Sequence, residues 1–177
     1  GSAADASLYW LGRMLQGGAD PRFVVRRMLR MASEDVGMAD PRALEQVAAA
    51  AQSVEHVGMP EGELALAQAA TYLALAAKSN SLYTAYKRVK REVARRPELA
   101  IPMAIRNAPT KLMKEAGYGK GYRYAHDEDE AVSDMQCLPD ELEDARFYRP
   151  TEHGWEKRIR ERMGEIRRLR SKNRNQA

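Results

Sequence analysis

An aspartate followed by a proline occurs twice early in the chain, at Asp20-Pro21 and Asp40-Pro41, and each time an apolar stripe of helical period follows. Aspartate is a strong N-cap, and proline, which has no amide hydrogen to lose, suits the first helical turn. After Pro21, the residues Val24, Val25, Met28, Leu29, Met31 and Ala32 make a broad apolar face, with Arg26, Arg27 and Arg30 largely opposite. A helix is therefore predicted from Pro21 to about Asp35, before Gly37. After Pro41, the residues Leu44, Val47, Ala48, Ala51 and Val54 align, and Gly58 ends the run.

The neighbouring segments obey the same rules. Asp5 is the predicted N-cap of a helix whose Leu8, Leu11 and Leu15 share a face, and Gly17-Gly18 stops it. Pro60 opens a fourth helix that is apolar on nearly every side from Leu64 to Ala77, the pattern of a helix at the centre of a bundle. Ser79 or Asn80 caps a fifth, with Leu82, Tyr86, Val89 and Val93 expected inside and Lys87, Lys90, Arg91 and Arg95 outside. Short links imply antiparallel neighbours, and no useful strand-like alternation appears. Phe and Trp are scarce while Ala and Met abound, which suits close helix contacts. The predicted fold is all-α, a compact helical bundle over residues 1–96.

The character changes after Pro97. Residues 97–150 read as an irregular Gly/Tyr/Pro-rich extension packed on the bundle, with space for a short hairpin and one brief helix in PTKLMKEAG. Glycines 117, 119 and 121 alternate with Tyr118, Lys120 and Tyr122, a spacing that suits a shaped loop because glycine enters backbone conformations barred to other residues. Residues 126–146 are acidic and read as a surface loop, with a helical turn at LPDEL. Thr151 is the predicted cap of a basic amphipathic helix over 151–170, whose stripe is Trp155, Ile159, Met163, Ile166 and Leu169. Its Glu156, Glu161 and Glu165 are placed to pair with nearby arginines. Residues 171–177 read as a disordered tail.

Chemical motifs are thin. No G-x-x-x-x-G-K-[ST] phosphate loop is present, and GYGKGY around Lys120 lacks both its spacing and its hydroxyl. His56, His126 and His153 are far apart, and the one cysteine, Cys137, has no partner at metal-ligand spacing. A single cysteine excludes an internal disulfide and suits a reducing compartment. The apolar run from Leu64 to Ala77 is too short to span a bilayer, and no signal peptide is visible, so a soluble cytoplasmic protein is expected. Ser33-Glu34-Asp35 ends a helix and reads as a cap or a salt bridge to an arginine of the preceding turn. No nucleophile, base and orienting group assemble, so no catalytic, metal or cofactor site is assigned.

Two surfaces carry the functional candidates. Net charge is only +4, so location decides what the cations do. Lys111, Lys114, Lys120 and Arg123 lie among tyrosines and loop glycines, which suits gripping phosphates and stacking bases; they are the candidate DNA contact. The alternative is a solvated surface balanced by the acidic loop. Trp10, Met14, Met28 and Met31 are candidates for a subunit interface, because Trp and Met are enriched in such surfaces. Core packing is the simpler account of each one alone.

Several strings together carry a family resemblance: LYWLGRML at Leu8, GGADP at Gly17, RMASEDVGMADP at Arg30, HVGMPE at His56, LALAQAATYLALAAKSN at Leu64, RNAPTKLMKEAGYGKGYRYAHD at Arg106, LPDEL at Leu138 and FYRP at Phe147. In this order they resemble the C-terminal region of the MgsA/RarA/Werner-helicase-interacting-protein family of AAA+ ATPases. The resemblance implies a region similar to a clamp-loader collar domain that assembles the protein into a homotetramer. It further implies a parent protein acting in DNA replication, recombination and repair at the replication fork, nucleoid-associated in a bacterium. ATP and magnesium would bind an N-terminal ATPase module outside this sequence, so the chain by itself is expected not to be an enzyme. The partners implied are a second copy of the chain, DNA and single-stranded DNA-binding protein. The alternative function is a DNA-binding module contacting fork DNA.

Overall fold

A computed structural model of the chain describes residues 2–124 and 132–176, with the backbone alone for 174–176. The described residues hold seven α-helices and no strand: α1 Ala4–Gln16, α2 Pro21–Met31, α3 Arg42–Val57, α4 Glu63–Leu75, α5 Ser81–Arg95, α6 Lys111–Glu115 and α7 Glu156–Gln176. The all-α expectation therefore holds. No described helix is long and apolar enough to cross a membrane. The chain divides into two compact units, residues 1–87 with 148–160 and residues 88–147 with 161–177, and the divisions fall inside α5 and α7.

In the first unit α4 packs on α1, α2 and α3, and α2 packs on α3. Its core joins Leu11 of α1, Val24, Val25 and Met28 of α2, Val47 and Val54 of α3, and Leu66 and Leu73 of α4. The uniformly apolar helix is thus central, although Leu64 and Leu75 at its two ends remain exposed. Asp20 caps α2 as expected, its side chain accepting from the Arg22 amide at 2.8 Å. Asp40 Oδ1 accepts from the Arg42 amide at 3.2 Å, while its Oδ2 accepts from the Tyr72 hydroxyl at 2.8 Å. One aspartate thereby starts α3 and ties it to α4.

Four local expectations are corrected. Asp5 lies inside the first turn of α1 instead of capping it, where its charge complements the helix dipole. α2 ends at Met31 and passes into a wide π-type turn over Ala32–Val36, which buries both Ala32 and Val36. Leu82, Tyr86 and Val93 of α5 are exposed, and the buried residue of that helix is Ala85. The last helix begins at Glu156, because the Thr151 amide and hydroxyl are turned onto the Glu156 carboxylate.

The second unit is built mostly from turns. α6 and the helical turn at Asp140–Leu142 appear where expected, and Thr110 caps α6 by accepting from the Met113 amide at 3.3 Å. No hairpin forms among the described residues. Only part of the predicted acidic loop is described, and there Val132 is buried instead of lying at the surface. α7 also runs past Arg170 to Gln176, where a disordered tail was expected. The reason is local anchoring: buried Asn173 donates to the Val132 carbonyl at 3.0 Å, and Arg170 Nε donates to the Ser133 carbonyl at 3.0 Å. His126 and Asp127, at the end of the signature segment, lie outside the described residues.

Candidate functional site

The most concentrated polar cluster surrounds Glu156, whose side chain is fully buried in the first unit. Oε2 accepts from Ser79 Oγ at 2.7 Å, from Thr151 Oγ1 at 2.6 Å and from the Thr151 amide at 2.8 Å. Oε1 accepts from the Tyr148 hydroxyl at 2.8 Å and from Ser81 Oγ. Burial by itself would raise the carboxyl pKa, but donation from Ser81, Thr151 and Ser79 outweighs it and holds the pKa at about 2. Burial and the same carboxylate push Tyr148 up to about 12. Five hydrogen bonds on one buried carboxylate make the cluster a structural clasp.

The sequence places Glu156 among solvent-facing charges, and the structure overturns that. Thr151 and Tyr148 lie close to it in sequence, but Ser79 and Ser81 come from 77 and 75 positions away, and no local spacing reveals that pairing. Glu161 is exposed, and Glu165 pairs with Arg162 at 3.1 Å as the helical pattern suggests. Arg160 pairs with Glu152 at 2.7 Å. Trp155 stays exposed with the Arg158 guanidinium 4.9 Å above its ring, while Ile159, Met163, Ile166 and Leu169 are half-buried. The Ser33-Glu34-Asp35 segment is structural as read: Arg30 Nε donates to Glu34.

Of the four interface candidates, two are at the surface. Trp10 is 61% exposed, and Met14 is exposed on the same helix. Tyr9 and Trp10 meet edge to face with centroids 5.3 Å apart. Met28 is a core residue and Met31 packs half-buried against the core, so these two are taken up by packing within the unit. Among the large apolar side chains that the structure leaves outside and sequence reasoning missed are Phe23 at 46% and Leu64 at 79% exposed. For Phe23 a signal exists: it is an aromatic ring on the face of α2 that otherwise carries Arg26, Arg27 and Arg30.

In the second unit, the glycine loop is folded on itself. Gly117, Gly119 and Gly121 have φ of 87°, 73° and 82°, the left-handed region in which other residues are strained. The Gly117 amide donates to Lys114 O at 3.0 Å, Tyr118 to Met113 O at 3.0 Å, Gly119 to Met103 O at 2.9 Å, Lys120 to Gly117 O at 3.1 Å and Tyr122 to Gly119 O at 3.1 Å. These five amides are thus committed to backbone carbonyls within the loop and its neighbours. Arg106 closes the other side, donating to Ile101 O at 2.7 Å with its guanidinium 5.2 Å over the Tyr118 ring.

The candidate DNA-contacting cations divide. Lys111 is 91% exposed and meets Glu115 only at 3.8 Å; Lys114 and Lys120 are exposed as well. Arg123 is committed to Asp134 at 2.6 Å. Tyr122 and Tyr124 are exposed beside them in sequence. Among the described residues no group of His, Cys, Asp and Glu could hold a metal ion.

The family model described as MgsA AAA+ ATPase C terminal matches residues 1–167. Replication-associated recombination protein A of Coxiella burnetii is 51% identical over 170 residues, which is 96% of this chain and 39% of that protein. The protein of the same name from Escherichia coli K12 is 51% identical over 164 residues, 92% of this chain and 37% of that protein. ATPase WRNIP1 of Dictyostelium discoideum is 46% identical over 149 residues, 84% of this chain and 17% of that protein. The chain thus spans well under half the length of these curated relatives.

Proposed function

The chain belongs to the MgsA AAA+ ATPase C-terminal family, and on that premise we propose that it is the self-assembly domain of a replication-associated ATPase. In this reading the helical bundle holds copies together as a homotetramer and so sets the spacing of ATPase modules, which bind ATP and magnesium outside this sequence. The parent protein works in the cytoplasm on replication and recombination intermediates, with single-stranded DNA-binding protein as a partner. The observation that carries the reading is the set of large apolar side chains at the surface of the first unit: Tyr9, Trp10, Phe23 and Leu64. A single exposed leucine is ordinary, but Leu64 lines one groove with Leu8, next in the chain to the Tyr9–Trp10 ring pair, and contiguous apolar surface supports an interaction site. Light scattering coupled to size-exclusion chromatography tests it. A tetramer mass across micromolar concentrations is expected, and a strict monomer would refute the proposal.

A second reading rests on a different observation. Lys111, Lys114 and Lys120 are exposed on the same ordered segment as Tyr122 and Tyr124, a combination suited to single-stranded DNA. Fluorescence anisotropy with a labelled fork separates it from assembly alone. Affinity that falls steeply with salt is expected, and no measurable binding at low salt would remove this reading.

A further inference from the structure

We infer that the groove between α1 and α4 receives the outer face of α2 from a second copy of this chain, with Phe23 as the inserted side chain. The inference rests on the self-assembly reading above and names its contact.

The groove is about 450 Å³, lined by Leu8, Leu15, Pro60 and Leu64 together with Glu61 and Glu63. Gly12 forms part of its wall, and a Cβ built there meets nothing within 4 Å, so the space above it is open. Its lining is mostly apolar, and the charged residues in it are both acidic, Glu61 exposed and Glu63 half-buried. A complementary ligand therefore needs an apolar projection flanked by cations.

α2 supplies that chemistry. Its inward residues Val24, Val25 and Met28 are buried, and the opposite face carries Phe23 with Arg26 and Arg27, all exposed. Phe23 and these two arginines stand three and four residues apart, so they share one helical face. Among the described residues, no ion pair engages Arg26, Arg27, Glu61 or Glu63. Each surface thus has its charge uncommitted.

Charge decides how copies meet. Groove against groove would bring Glu61 and Glu63 of two copies together, and α2 against α2 would oppose their arginines. Only the crosswise contact joins opposite signs, and like charges across an interface are strongly disfavoured. A contact between two different patches is head-to-tail, and repeated head-to-tail contacts close into a ring when the rotation permits.

Charge reversal tests this on the whole chain, with sedimentation velocity as the readout and thermal melting as the check on folding. Arg26→Glu with Arg27→Glu, and separately Glu61→Lys with Glu63→Lys, should each weaken assembly on the order of tenfold or more. An equimolar mixture of the two variants should assemble again, because each reversed face then finds an opposite one. Gly12→Met should lower assembly by occupying the groove while the melting temperature holds or rises, since methionine is the better helix former. A wild-type chain that is monomeric throughout would defeat the self-assembly reading itself. An assembled wild type indifferent to both reversals, or a mixture that fails to reassemble, would overturn this contact alone.

Discussion

Ser79 and Glu156 lie 77 positions apart and meet in a buried hydrogen bond of 2.7 Å, Oγ donating to Oε2. The same carboxylate takes the Thr151 amide and hydroxyl, so one side chain fastens the segment before α5 to the segment before α7. A buried carboxylate is tolerable only when hydrogen bonds replace its hydration, and here five donors do so.

Acid stability should report this clasp. The Glu156 pKa is held at about 2 in the folded chain against 4.5 ordinarily, so the folded state favours the ionised form. The stabilisation is complete above about pH 4.5 and is lost as pH falls toward 2. Its size is roughly 3 kcal/mol by linkage, at about 1.4 kcal/mol per pKa unit. Glu156→Gln should therefore lower unfolding stability by about that amount at pH 7, and the two proteins should converge near pH 2. Urea titrations at several pH values measure both. A constant difference down to pH 2 would mean the carboxylate charge is not the cause.

Gly154 should tolerate no side chain. Its φ is 54°, and a Cβ there would overlap the Ala39 carbonyl oxygen and stand 2.8 Å from the Ala77 Cβ. The next residue depends on this approach, since the Trp155 amide donates to Ala39 O at 2.7 Å. Gly154→Ala should cost about 2 kcal/mol or more, from backbone strain and the broken Trp155 hydrogen bond together. A chemical denaturation midpoint equal to wild type would show that the backbone does not need this closeness.

The helical bundle was legible because its signals are local. Asp20-Pro21, the stripe at Val24, Val25 and Met28, and the apolar α4 all state their roles within a few residues. Glu156 was illegible because two of its donors, Ser79 and Ser81, arrive from 77 and 75 positions away. Met28 and Trp10 show the limit for surfaces: both are large and apolar, and only three-dimensional packing puts one in the core and one outside. Leu64 could not be read as exposed because α4 has apolar residues on every face.

The end of α7 should be ordered past Arg170. Asn173 is buried and its Nδ2 donates to Val132 O at 3.0 Å, which gives the last turns a fixed partner. Asn173→Ala should leave the Val132 carbonyl unsatisfied, costing about 1–3 kcal/mol where that group is buried. Hydrogen exchange across residues 165–173 should accelerate in the variant while the protection of α3 and α4 is unchanged. Equal protection in both proteins would show that the last turns do not depend on this anchor.

If the 111–124 segment touches single-stranded DNA, its cations and its rings should fail in different ways. Replacing Lys111, Lys114 and Lys120 by glutamine removes phosphate neutralisation, so the slope of log affinity against log salt should shrink by about 0.7 for each phosphate no longer neutralised. Replacing Tyr122 and Tyr124 by alanine removes stacking worth about 1–3 kcal/mol per base and leaves the salt slope unchanged. The loop itself should survive the lysine changes, because its backbone hydrogen bonds, such as Gly119 to Met103 at 2.9 Å, do not involve those side chains. Salt-dependent anisotropy on the wild type and the two sets of variants separates the outcomes. A lysine variant with unaltered slope would place the phosphates elsewhere, and a tyrosine variant with unaltered affinity would leave electrostatics as the sole source of binding.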